Sequence, residues 1–203
     1  MQIIRPMPVS LEVYADTDYQ RQVQPSAECP NCGVRDSLEP LGYYSRGITS
    51  TGRDVLRILI RRFRCTTCFR TVSVLPSFAH PYRLVAAVTI GQFFSGTIAA
   101  LNTKWVPLLM QYEVRVDCWL PSIESILRSM VAVLPQGINL QGWWSILKDS
   151  LGELDLLTQT LVARFQVTLF GRYRCHALFH PHNLVIRKEF DGWNAQGANE
   201  TGP

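Results

Sequence analysis

Four cysteines in two CxxC pairs constrain this chain more than any other feature. They stand in CPNCG at residues 29–33 and CTTC at residues 65–68, giving the pattern Cys29-x2-Cys32-x32-Cys65-x2-Cys68. One CxxC is a redox dithiol, half of a metal site or coincidence, whereas two pairs supply the four thiolates of a tetrahedral sulfur site. Zn²⁺ accepts that geometry without redox chemistry, so the spacing predicts a zinc ribbon on Cys29, Cys32, Cys65 and Cys68, with Zn²⁺ as cofactor. The competing readings are two disulfides or free core thiols. A thioredoxin-like site needs only one CxxC, beside a βαβ pattern that the sequence lacks. Gly33 follows the second cysteine, where a positive φ costs glycine little, and Pro30 stiffens the first knuckle.

The opening MQIIRPMPVSLEV has no basic stretch leading into an apolar run, so no secretory signal is expected. Reduced thiols and a cytoplasmic, nucleoid-associated location follow as expectations. Residues 84–103 form an uncharged run of twenty, but Gly91, Gln92, Ser95, Gly96 and Asn102 interrupt it, which predicts a buried helix rather than a membrane span.

The formal charge is +4, and it is unevenly placed. Residues 41–70 hold Arg46, Arg53, Arg57, Arg61, Arg62, Arg64 and Arg70 against the single acid Asp54, so this segment is +6 and the rest is −2. Arginine outnumbers lysine 17 to 3, and a planar fork of donors suits phosphates and guanine edges. Double-stranded DNA is therefore the expected partner, with a solvated arginine strand, or arginines that balance the thiolates, as the plainer alternatives.

The fold class expected is α+β: a small β zinc ribbon followed by a mostly α-helical, helix-turn-helix-like bundle. Residues 1–28 read as an N-terminal arm with a short edge strand, and residues 29–80 as the ribbon and its basic hairpin. Residues 81–135 read as three helices, at 83–101, 106–112 and 121–133, the last opened by Pro121. That third helix would face Ser122, Ser125 and Arg128 toward a major groove. Residues 136–190 read as a helical segment, entered by a loop bearing Trp143 and Trp144, and residues 191–203 as a disordered tail. Cys118 reads as an apolar filler, and Cys175, His176, His180 and His182 as a cluster whose spacing matches no standard ligand set.

CPNCG, GYYSR, IRRFRCTTCFRTVSVLPSFAHPY and LPSIESILR together resemble the zinc-ribbon and helix-turn-helix module that opens many bacterial insertion-sequence transposases. They also resemble a group of short, uncharacterised bacterial proteins built on that module. The likeness covers residues 29–130 and implies recognition of terminal-repeat DNA by ribbon and helices together. Such transposases carry catalytic carboxylates on a separate RNase H-like domain. Here Asp149, Glu153, Asp155, Glu189, Asp191 and Glu200 are not set in alternating strands and helices, so no catalysis is expected. The function expected is non-catalytic DNA binding, transposon-associated or regulatory, as a homodimer or with a transposition or regulatory partner. The alternative is a protein-interaction adaptor that uses the ribbon as a brace and an apolar surface around Trp143 and Trp144 to dock its partner.

Overall fold

The computed structural model describes residues 1–16, 18–50, 55–98, 103–131, 135, 137–172 and 175–177. It is a mixed α+β fold in which a small sheet is followed by helices. The β-branched and aromatic run LRILIRRFRC forms β3 (Leu56–Cys65), which pairs along its whole length with β2 (Leu38–Ile48) as a long antiparallel hairpin. The register shifts between Pro40 and Gly42, leaving Leu41 as a bulge. Opposite it, burial on β3 switches from Ile58 and Ile60 to Phe63 and Cys65. Both Arg61 and Arg62 are consequently half-buried at the switch.

β4 (Thr71–Pro76) adds to the other edge of β3, and β1 (Gln2–Arg5) pairs parallel with β4. The short β7 (Cys175–Ala177) pairs parallel with β1 and completes the order β2-β3-β4-β1-β7. The expected edge strand is thus an interior one, because Ile3 and Ile4 are both buried and need a sheet neighbour on each side. The rest of the expected arm also packs down. Tyr14 of α1 (Leu11–Asp16) is fully buried, and the Gln20 side chain accepts from the Leu59 amide at 2.6 Å.

Among the described residues, 81–135 carry two α-helices rather than three. α2 (Ala87–Phe94) stops at Gly96, which has φ +66°. α3 (Val106–Met130) then runs unbroken through Pro121. Its buried stripe of Leu109, Tyr112, Val116, Leu120, Ile123 and Leu127 continues at helical spacing on both sides of the proline. That packing outweighs the roughly 3 kcal/mol that an interior proline costs, and the ring points to solvent. No helix among the described residues is long and apolar enough to cross a membrane.

Trp143 and Trp144 lie on α4 (Leu140–Leu151) rather than in a loop, and both are buried, so neither indole is itself an exposed docking group. Asn139 caps this helix by accepting from Gly142 N at 3.0 Å. Trp144 donates to Ser95 Oγ at 2.8 Å and approaches α2 over Gly91, where an added Cβ would sit 3.1 Å from the indole. Gly152 (φ +89°) turns the chain into α5 (Leu154–Phe165). The helical segment expected over residues 136–190 ends at Phe165. The chain instead makes the two-residue strands β5 (Val167–Thr168) and β6 (Gly171–Arg172) before β7.

Candidate metal centre and the basic face beside it

The two knuckles are built by the same backbone hydrogen bonds. Cys29 N donates to Val34 O at 3.0 Å and Gly33 N to Cys29 O at 2.8 Å. In the second knuckle Cys65 N donates to Arg70 O at 3.0 Å and Phe69 N to Cys65 O at 3.0 Å. Both turns need a left-handed residue after the second cysteine, and Gly33 (φ +73°) supplies it in the first, as expected. Phe69 takes the same role at φ +57°, a conformation that a bulky residue adopts only at a cost of about 1–2 kcal/mol.

The hairpin brings the knuckles face to face. Cys29 Sγ lies 3.7 Å from Cys68 Sγ, Cys32 Sγ lies 3.7 Å from Cys65 Sγ, and all four sulfurs fall within 4.8 Å of one another. A sulfur–sulfur bond is about 2.05 Å long, so these are free thiols and not disulfides. A metal held at about 2.3 Å by four thiolates keeps neighbouring sulfurs about 3.8 Å apart, close to the two 3.7 Å separations. The four cysteines can therefore bind a metal ion.

Electrostatics point the same way. The backbone N–H of Cys68, with the Ser37 hydroxyl 3.3 Å from its sulfur, pulls Cys65 down to about 5. At Cys32 the backbone N–H of Val34 also lowers the pKa, but desolvation and the three crowding sulfurs outweigh it and push the thiol up to about 12. Cys65 thus favours the thiolate, while crowding opposes a second negative charge at Cys32, an opposition that a bound cation would relieve.

The arginines divide into three groups. Arg57, Arg64 and Arg70 are exposed and Arg62 half-exposed, and among the described residues no carboxylate forms an ion pair with any of them. Arg62 and Arg64 alternate along β3 and so share one sheet face, where Ser73 and Thr71 of β4 stand opposite them. Arg64 faces Glu39 across the hairpin, yet its guanidinium lies over the Phe69 ring, 5.4 Å from the centroid. Arg61 points to the other face and stacks on Tyr43 at 4.5 Å.

Arg46 does something the sequence did not suggest. Its guanidinium is half-buried and donates to His80 O at 2.6 Å and to Arg83 O, fastening the hairpin to the loop before α2. Burial lowers its pKa. The same seam buries His80, whose ring meets Phe170 edge-on at 4.6 Å, while Arg83 lies over the rings of Tyr112 and Phe170. Arg46 is thus spent on holding two parts of the molecule together. Arg53 lies outside the described residues.

The helical candidates fare differently again. Ser122 and Ser125 are exposed, but they sit in the second half of α3 and not at a helix start, because no helix begins at Pro121. Arg128 forms an ion pair with Glu124 at 2.6 Å and lies over Trp143. Cys118 is exposed rather than a filler. Cys175 and His176 belong to the backbone of β7, and His180 and His182 lie outside the described residues. Phe69 and Tyr82, exposed aromatics with positive φ, were missed; both fall in the Arg-rich segment or just after it, with no periodicity to mark them.

A domain of unknown function, DUF6431, matches residues 29–105 of this chain. The similarity begins at the first metal-site cysteine, takes in all four, and ends before α3. No curated protein and no solved structure matches.

Proposed function

We propose that this protein is a non-catalytic, zinc-stabilised DNA-binding factor, transposon-associated or regulatory, whose basic sheet face meets the phosphates of duplex DNA. The observation that carries the proposal is the pair Arg62 and Arg64 on one face of β3, with Arg70 on the second knuckle, none of the three in an ion pair among the described residues. Uncompensated guanidiniums on a rigid sheet release counterions from a phosphate backbone when they bind it. Zinc is the metal of choice because four thiolates in a tetrahedron favour it and the structural role needs no redox chemistry. The resemblance to the transposase module supports the same partner. Base readout by residues 121–130 has lost its geometric basis, since a helix interior offers no N-terminal turn to insert, so phosphate contacts dominate this proposal.

The test is a fluorescence anisotropy titration of labelled duplex with metal-loaded protein, at about 50 and about 200 mM salt. Wild-type affinity should fall steeply with salt, and the Arg62→Ala/Arg64→Ala variant should bind more weakly, with a log–log salt slope shallower by about two. Equal affinities and slopes for the two proteins would overturn the assignment of this face, and no binding at the lower salt would overturn DNA binding itself.

A further inference from the structure

The two knuckles share a backbone and differ in what they display. The first carries Gly33 at its left-handed position, and the neighbouring Arg35 is paired with Glu28 at 2.9 Å. The second carries Phe69 in that position and Arg70 beside it, with no described ion pair. At 66% exposure Phe69 is the most exposed large apolar side chain among the described residues. Its ring carries the Arg64 guanidinium over it and belongs to neither apolar cluster of the described residues. The turn would accept glycine more readily, as Gly33 demonstrates, so folding does not explain a phenylalanine here.

We propose that Phe69, flanked by Arg64 and Arg70, is a stacking platform for an unpaired nucleobase, so that the metal knuckle binds single-stranded DNA. This inference rests on the DNA-binding reading and adds a ligand class to it. An exposed ring finds no base face in an intact duplex, where the bases stack on one another; an unpaired base offers its face at once. The guanidinium of Arg64 already lies over the ring, 5.4 Å from the centroid, and Arg70 adjoins it in sequence, so cations stand where the adjoining phosphates would run. Phe69 N is tied to Cys65 O and Cys65 N to Arg70 O, which fixes the platform before any ligand arrives and lowers the ordering cost of binding. The same sheet face continues through Arg62 to Ile60, opposite Tyr44 on β2, and Tyr44 is within electrostatic reach of the exposed Tyr82. A strand crossing from Phe69 toward Tyr82 would thus meet arginines between two exposed rings.

The experiment compares metal-loaded wild type with Phe69→Gly and Phe69→Trp, using a fluorescein-labelled oligothymidine and a duplex of equal length. Phe69→Gly relieves the backbone and should fold at least as well as wild type, so weaker binding cannot be ascribed to misfolding. The expected result is a loss of about tenfold in single-strand affinity for Phe69→Gly, duplex affinity unchanged within about twofold, and single-strand binding restored by Phe69→Trp. Wild-type single-strand affinity retained by Phe69→Gly overturns the platform while leaving the duplex reading intact. Parallel losses on both ligands overturn the preference for unpaired bases. Absence of binding to either ligand by wild type overturns this inference together with the reading on which it rests.

Discussion

The sheet half and the helical half of this molecule are held together by different means. The helical half packs α2, α3, α4 and α5 around a large apolar cluster that includes Trp143, Trp144, Leu157 and Leu161, and no described group there asks for a metal. The sheet half has a smaller cluster in which Cys29 and Cys65 are themselves core residues, beside Phe63, Val72 and Leu38. Around the thiols the chain runs in turns, exposed from Asn31 to Asp36, with few apolar side chains to bury. Apolar packing joins the elements of the first half, whereas the two knuckles of the second meet through four sulfurs at one end of its apolar cluster.

The largest effect should come from the metal site. Cys65→Ser removes a buried sulfur of the four-cysteine cluster, and structural thiolate sites commonly supply on the order of 10 kcal/mol of folding free energy. Metal content by mass spectrometry should fall from one ion per chain to none. The tryptophan fluorescence of the buried Trp143 and Trp144 should stay close to native. Leu157→Ala reverses the comparison: it should cost about 2–5 kcal/mol in urea unfolding and leave the metal content at one per chain.

The seam between the halves should respond to acid. Burial, opposed by the contact with Pro81 O and reinforced by Arg83 and Arg46, holds the His80 pKa down to about 3. The unfolded chain takes up the proton near pH 6.5 and the folded chain does not. The stabilising contribution is therefore complete above about pH 6.5 and is lost progressively as pH falls toward about 3. His80→Gln should flatten this slope, measured by thermal melts across the window with tryptophan fluorescence as the probe. The smallest stability effect belongs to the basic face. Arg62→Ala and Arg64→Ala together should shift stability by no more than about 1 kcal/mol, because both side chains reach solvent, while weakening DNA binding.

What could be foreseen from the residues follows from how local each signal is. The knuckles were legible because the CxxC turn and Gly33 are short-range chemistry, and the β-branched run of β3 announces a strand on its own. The interior place of β1 was not legible, since it depends on pairing Ile3 with Val74, 71 positions away. Pro121 misled for a related reason: its local rule is to open a helix, and only the tertiary stripe on both sides shows that packing carries α3 through it. The arginines looked alike in the sequence. Arg46 differs from Arg64 only because the loop at His80 and Arg83 presents carbonyls to the first, while the second meets a ring and solvent.

If a metal at the four cysteines closes the sheet half and not the helical half, hydrogen exchange of the metal-loaded full chain should change in one half only when a chelator removes the ion. Protection should be lost across β2, β3 and both knuckles after chelation and retained in α3, α4 and α5. Equal loss in both halves, or full protection of the hairpin without metal, would contradict it.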